Sequence, residues 1–354
     1  MSLAALLLPL LLLLPAAAGA ELALPPGFTA QVYVTGEGFD EGRSATGIPS
    51  TSTIVFDPAG TLYASRTGRR YLGGEVEDVW PIYRFPLGGG RVSRETESRF
   101  LYGPPLPNPQ VAAVRGHEVL VTTFDRDRVV GVVYRLVDGR AELLAGGTPP
   151  SRITPPMLKQ PEGVALDPSG NLLVADRQQN VVMRLDPAGR VLDARWLEMA
   201  RPRLVVARGE RVWVAGDGEA DAPWQRGIGE IWSVGPDGRR LALRGPIAAG
   251  MDVSPGGRLF VADRQAARIV VAGPDATVVD FATFGDGDAP RTLAFAPVSE
   301  ATRRAGIAGD LFVIVIRRGT WSLNEIIRIS GPFGDGGPEM APKPPNVRNV
   351  PAKP

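Results

Sequence analysis

The sequence predicts an all-β chain folded as a closed six-bladed β-propeller, with an N-terminal strand completing the last blade. Three observations carry this. A short strand–turn–strand pattern recurs six times, with starts near residues 52, 110, 162, 203, 249 and 291. A period of about 40 to 60 residues with several short strands per unit is that of a propeller. Glycine (43) and proline (34) together exceed a fifth of the 354 residues, as many short strands joined by turns require.

From the N-terminus, residues 1–20 read MSLAALLLPLLLLLPAAAGA, an apolar core ending in the small-x-small pattern Ala18-Gly19-Ala20. This has the length of a cleaved signal peptide, although the segment before the core lacks Lys and Arg. Export to the periplasm or the extracellular space is the expectation, and an uncleaved N-terminal membrane anchor is the alternative. No later segment is apolar for long enough to span a membrane. The propeller is expected over 25–333.

The best-formed copy of the repeat is PEGVALDPSGNLLVADRQQN (161–180). STIVFDPAGTLYAS (52–65) and GMDVSPGGRLFVADR (250–264) share its turn, and PQVAAVRGHEVLV from Pro109 and PRLVVARGERVWV from Pro202 have a shorter one. The sixth copy, APRTLAFAP from Ala289, reaches its second strand, DLFVIVI, only after an insertion. Blades one to five each leave room for four strands, whereas blade six offers three. FTAQVYV (28–34) is the missing fourth, and its addition removes an open sheet edge. The Pro-rich tail (334–354) has almost nothing to bury and reads as disordered.

Composition excludes several function classes. A net charge of +1 gives no reason to expect nucleic acid as a partner. The absence of cysteine rules out disulfides, thiolate metal sites, Fe–S clusters and a cysteine nucleophile. The chain is expected to be a monomer held together by its apolar core alone.

The PEGVALDPSGNLLVADRQQNVV copy resembles the NHL repeat and, more broadly, the six-bladed propellers grouped with TolB and the gluconolactonase/senescence-marker family. The stretches LPPGFTAQVYV (24–34) and GDLFVIVIRRGTWSLNEIIRI (309–329) resemble the sorbosone and quinoprotein sugar dehydrogenases. The first resemblance implies a sugar lactonase with a metal held by a Glu, Asn and Asp set; the second implies a dehydrogenase using pyrroloquinoline quinone. The chain departs from both. The dehydrogenases' catalytic histidine has no counterpart, because the only histidine, His117, falls in the turn between the first two strands of blade two, on the opposite face.

Within each blade the first strand lies nearest the axis, so its first residue stands at the channel mouth. The six copies align Ser52, Gln110, Glu162, Arg203, Ala249 and Arg291 there. One carboxylate facing two arginines is a poor donor set for a hard cation, so no metal and no cofactor are expected; calcium or the quinone would belong only to the enzyme alternative. Glu162 is expected to pair with Arg203 or Arg291. Such a pair is either structural or one side of a site where the arginines receive an anion such as a sugar acid. Long loops on the same face carry Trp80, Trp224 and Trp321, which either form a binding platform for a sugar or a partner, or pack between blades. The recurrent Asp125-Arg126, Asp176-Arg177 and Asp263-Arg264 pairs read as turn caps rather than acid–base pairs.

The expected function is therefore an exported propeller that binds a small anionic or carbohydrate ligand, or a protein partner, at the channel mouth. Glu162, Arg203, Arg291, Gln110, Ser52, Trp224 and Trp321 are the candidate contacts. The alternatives are a sugar lactonase or quinoprotein-type dehydrogenase, and a structural module tethered through the tail.

Overall fold

The computed structural model describes residues 22–39, 46–67, 79–125, 130–147, 157–222, 224–273, 276–317 and 323–334. The expected signal peptide and the tail beyond Gly334 lie outside these residues. No described helix is long and apolar enough to cross a membrane.

The chain begins with β1 (Thr29–Glu37) and the two-residue β2 (Ile48–Pro49). Blade one contains β3 (Ile54–Phe56), β4 (Leu62–Ala64) and β5 (Val79–Phe85); the chain then leaves it to form β6 (Gly90–Ser93) and returns as β7 (Leu101–Pro107). Blade two is β8 (Gln110–Arg115), β9 (Glu118–Asp125), β10 (Val130–Val137) and β11 (Arg140–Gly146). Blade three is β12 (Pro161–Leu166), β13 (Leu172–Asp176), β14 (Val181–Leu185) and β15 (Val191–Glu198). Blade four is β16 (Pro202–Arg208), β17 (Arg211–Gly216), β18 (Gly229–Gly235) and β19 (Gly238–Gly245). Blade five is β20 (Gly250–Val253), β21 (Leu259–Asp263), β22 (Arg268–Ala272) and β23 (Val278–Thr283). Blade six has β24 (Ala289–Phe295), β25 (Leu311–Ile316) and β26 (Leu323–Ser330). The insertion in this blade carries the one-turn helix α1 (Glu300–Arg304), capped by Ser299.

The fold is the predicted six-bladed propeller, closed as expected. β1 runs antiparallel to β26 from Thr29↔Ser330 to Val34↔Ile326, and β2 continues along the same edge of β26. One element was not foreseen: β6, an excursion of the chain between the third and fourth strands of blade one, pairs with β1 in parallel, from Val34↔Gly90 to Glu37↔Ser93. The last blade is thus held from outside by the first.

The repeat's turn has a local cause. In blade three Asp167 Oδ1 accepts the N–H groups of Ser169 and Asn171, each at 2.9 Å, while Gly170 takes φ +79°. The continuous apolar runs have a tertiary cause. All five residues of β13 are buried because its two faces pack on different blades. Leu172 and Val174 join a core shared with blade two, and Leu173 and Ala175 one shared with blade four. Six apolar clusters arise in this way, one at each blade junction.

Deleting residues 22–39 removes β1 and exposes both the β26 edge and the partner edge of β6. The truncated protein is expected to aggregate and to lose its cooperative melt, read by size-exclusion chromatography and thermal unfolding; a soluble monomer with an unchanged melting temperature would contradict the role given to β1.

Candidate functional site

A cavity of about 1110 Å³ is lined by the innermost strands β3, β8, β12, β16, β20 and β24. Ser52, Gln110, Glu162, Arg203, Ala249 and Arg291 all border it, as do Trp80, which the structure places near the start of β5 rather than on a loop, and Trp224 from the loop after β17. Trp321 lies outside the described residues. His117 is exposed in the turn between β8 and β9 and is not part of the lining.

Bulges place three of the charged side chains. In β16 Pro202 pairs with Gly216 and Leu204 with Ala215, which leaves Arg203 as the extra residue. Arg291 is the extra residue of β24 in the same way, between Pro290 and Thr292. In β12 pairing skips from Pro161 to Val164, across Glu162 and Gly163. Proline brings no N–H to the ladder and is tolerated at strand starts and bulges, and a bulge re-aims the residue beside it. Gly163 is needed for close approach: a Cβ there would lie 2.7 Å from Arg203 O of the next blade.

The expected pairing of Glu162 is corrected by the structure. Arg203 is 7% exposed and pairs with Asp217, on the loop after β17, with its Nε 2.9 Å from Oδ2. Its remaining nitrogens face the carbonyls of Ala248 and Ala249 at the start of blade five. Arg177 lies 3.4 Å from the same carboxylate and donates to Ala220 O. Asp217 is 1% exposed and draws both arginines to itself. Arg291 donates to Ser50 Oγ at 2.6 Å. Glu162 belongs to neither arrangement and accepts instead from Gln160 Nε2 at 2.7 Å. Burial raises its pKa, against the opposing pull of Arg203, the Gln160 hydrogen bond and Arg177.

Replacing Arg203 with Met would strand the Asp217 charge in the interior with only the more distant Arg177. Removing one partner of a buried pair costs about 3–5 kcal/mol, so Arg203→Met is expected to unfold at clearly lower denaturant, where a ligand contact alone would leave stability intact.

Blade one contributes a cluster that the repeat alignment does not contain. Arg66, which follows β4, lies with Nε 2.9 Å from Glu97 Oε1, and the Trp80 ring covers its guanidinium at 3.3 Å. Beside it Ser52 Oγ contacts Ser65 Oγ at 2.8 Å and donates to Gln110 Oε1. Trp224 is 49% exposed with Arg264 over its ring at 5.7 Å, so it presents a face to solvent instead of packing between blades. The aspartates read as turn caps act as such. Asp176 accepts from the backbone of Lys159, Gln160 and Gln179, and Asp263 accepts from Ala266 N. The Asp125 side chain and Arg126 lie outside the described residues.

Lower in the channel Asp252 of β20 accepts the N–H groups of Phe295 and Val253, each at 2.7 Å. Burial pushes its pKa up to about 6, against those two hydrogen bonds and Arg208. Between about pH 4 and 6 the unfolded chain has released a proton that the folded chain keeps, so stability falls as pH rises through this window. A rise of about two pH units corresponds to up to about 3 kcal/mol. Asp252→Asn keeps an acceptor for both N–H groups, and its urea midpoint is expected to change less between pH 4.5 and 7.5 than that of the wild type.

Among the described residues no group of three or more His, Cys, Asp and Glu is placed to hold a metal ion. At the mouth Glu162 is the only carboxylate of its ring, with Arg203 and Arg177 acting on it, so these residues do not fit the metal implied by the lactonase resemblance.

No protein-family model matches the chain, and no curated protein matches it. Solved structures do. A gluconolactonase from Xanthomonas campestris is 14% identical with a TM-score of 0.54, over 81% of this chain and 87% of the other. An auxiliary nutrient binding protein from Bacteroides ovatus is 10% identical with a TM-score of 0.54, over 86% and 77%. A PQQ-bound aldose sugar dehydrogenase from Streptomyces coelicolor is 12% identical with a TM-score of 0.50, over 87% and 100%. At these identities the likeness is one of fold.

Proposed function

We propose that the chain is an exported, monomeric propeller that holds a small hydroxylated anion, such as a sugar acid, in the funnel at its channel mouth. The observation carrying this reading is the composition of the cavity lining. Six arginines (66, 94, 177, 203, 264 and 291) border it against four carboxylates (97, 162, 221 and 252). Asp217, behind the lining, takes up part of the positive charge of Arg203 and Arg177, which leaves the excess positive but small. In a partly desolvated funnel such a balance attracts an anion more strongly than bulk water would allow. The similar folds of proteins named for gluconolactone and aldose chemistry are consistent with a carbohydrate ligand. A protein segment bearing an acidic side chain would meet the same groups, with Trp224 at the rim as its apolar contact.

Turnover is the second reading, and Glu162 is the observation that favours it. A carboxylate of raised pKa at the funnel wall could serve as a general base in lactone hydrolysis without a metal. Hydrolysis of glucono-lactone by the wild type and its loss in Glu162→Gln would establish that reading.

Arg291 is the arginine through which binding is best tested, because removing Arg203 would strand the buried Asp217 carboxylate. Charge-assisted contacts are worth about 1.5–3 kcal/mol, so Arg291→Met is expected to weaken D-gluconate binding by more than tenfold in calorimetry, with the fold checked by circular dichroism. Equal affinity in the two proteins would remove Arg291 from the site.

A further inference from the structure

Blade one presents the funnel with donors that the fold leaves unused. Arg66 is 8% exposed, and its backbone is pinned on both sides: Ser65 N donates to Thr53 O at 3.0 Å and Thr67 N to Ser50 O at 2.8 Å. Its guanidinium is fixed as well. Nε lies 2.9 Å from Glu97 Oε1 and 3.1 Å from Tyr83 OH, and the Trp80 ring covers its face. Even so, Arg66 Nη1 is buried without an acceptor, Trp80 Nε1 likewise, and Thr53 Oγ1 has no partner. These are the buried side-chain nitrogens and oxygens without a hydrogen bond among the described residues, and all three residues line the same cavity from the same blade.

Three such groups in one wall call for a common explanation, because a buried donor left unmet loses the hydrogen bonds it made in water and gains none. We propose that this wall is the oxygen-acceptor subsite of the funnel, where Arg66 Nη1 and Trp80 Nε1 donate to hydroxyl or carbonyl oxygens of the ligand and Thr53 adds a hydroxyl. The inference rests on the reading that the funnel binds a hydroxylated anion, and it says where the uncharged end of that ligand lies. Arg and Trp N–H groups only donate, so the ligand must offer acceptors. Glu97 already balances the Arg66 charge, so the subsite supplies directed hydrogen bonds rather than net charge. Ser50 links it to the charged end: its hydroxyl accepts from Arg291, and its carbonyl accepts from Thr67, the residue after Arg66. A carboxylate at Arg291 thereby leaves the rest of a polyol chain within reach of blade one.

The test uses Trp80→Phe, which keeps an aromatic ring over Arg66 and deletes the N–H, and Thr53→Val, which deletes the hydroxyl. Calorimetry is run with D-gluconate, D-glucuronate and hexanoate, the last an acid without hydroxyls. Trp80→Phe is expected to weaken gluconate or glucuronate binding by about tenfold and to leave any hexanoate binding as in the wild type. Thr53→Val is expected to melt no lower than the wild type, because it removes an unsatisfied buried hydroxyl with little change in side-chain size. If the wild type binds a hydroxylated acid and both variants bind it equally well, the subsite is refuted and the funnel reading stands. A lower melting temperature in the nearly isosteric Thr53→Val would mean that this wall's polar groups are satisfied within the folded protein, which also overturns the subsite. Failure of the wild type to bind any of the three acids would sink the funnel reading and the subsite with it.

Discussion

The hydrogen-bonding edge of β26 is the constraint on which the rest of this molecule depends. A ring of separate sheets has one seam, and left open that seam would expose a row of backbone donors and acceptors. Here β1 and β2 together cover the edge, and β6 grips β1 from the far side. The seam also carries its own apolar cluster, in which Phe312 meets Tyr33 at 4.7 Å and Phe56 at 4.8 Å. The functional surface exists only because the ring is shut, since its contacts cross from blade to blade. Thr122 of blade two donates to Glu162 O of blade three, Arg203 of blade four reaches Ala248 before blade five, and Arg291 of blade six reaches Ser50 before blade one.

Much of the architecture was legible because the repeat states it twice, once as apolar runs buried on both faces and once as a Gly-containing turn of one length that three of the copies share. The closing strand was legible from a deficit, three strand patterns where four were needed. β6 was not. Its four residues, Gly90–Ser93, carry little pattern, and its partner is parallel and distant in sequence, a pairing that no turn announces. The ring positions could be read for the same reason as the blades, since they stand at one offset in each repeat.

What those side chains do was less legible, because partners come from loops that the repeat does not align. Asp217 captures Arg203 from across a loop, 14 residues on in sequence, and Glu97 meets Arg66 from a short turn outside the strand pattern. One signal did lie in the sequence. Proline precedes the charged residue in Pro161-Glu162, Pro202-Arg203 and Pro290-Arg291, and a residue without an N–H at the start of an innermost strand marks a bulge there. Read in that way, the three dipeptides name the positions where the ladder breaks and a charged residue borders the channel.

The contact between Phe333 and the turn of blade five has a consequence for orientation. Gly256 N donates to Phe333 O, and Gly256 sits in the turn between β20 and β21, on the side away from the funnel mouth. Gly334, the last described residue, therefore lies at the base of the molecule. A protein attached to a bead or a sensor chip directly at that base would stand with its opening outward, its approach to dissolved molecules unobstructed by the support.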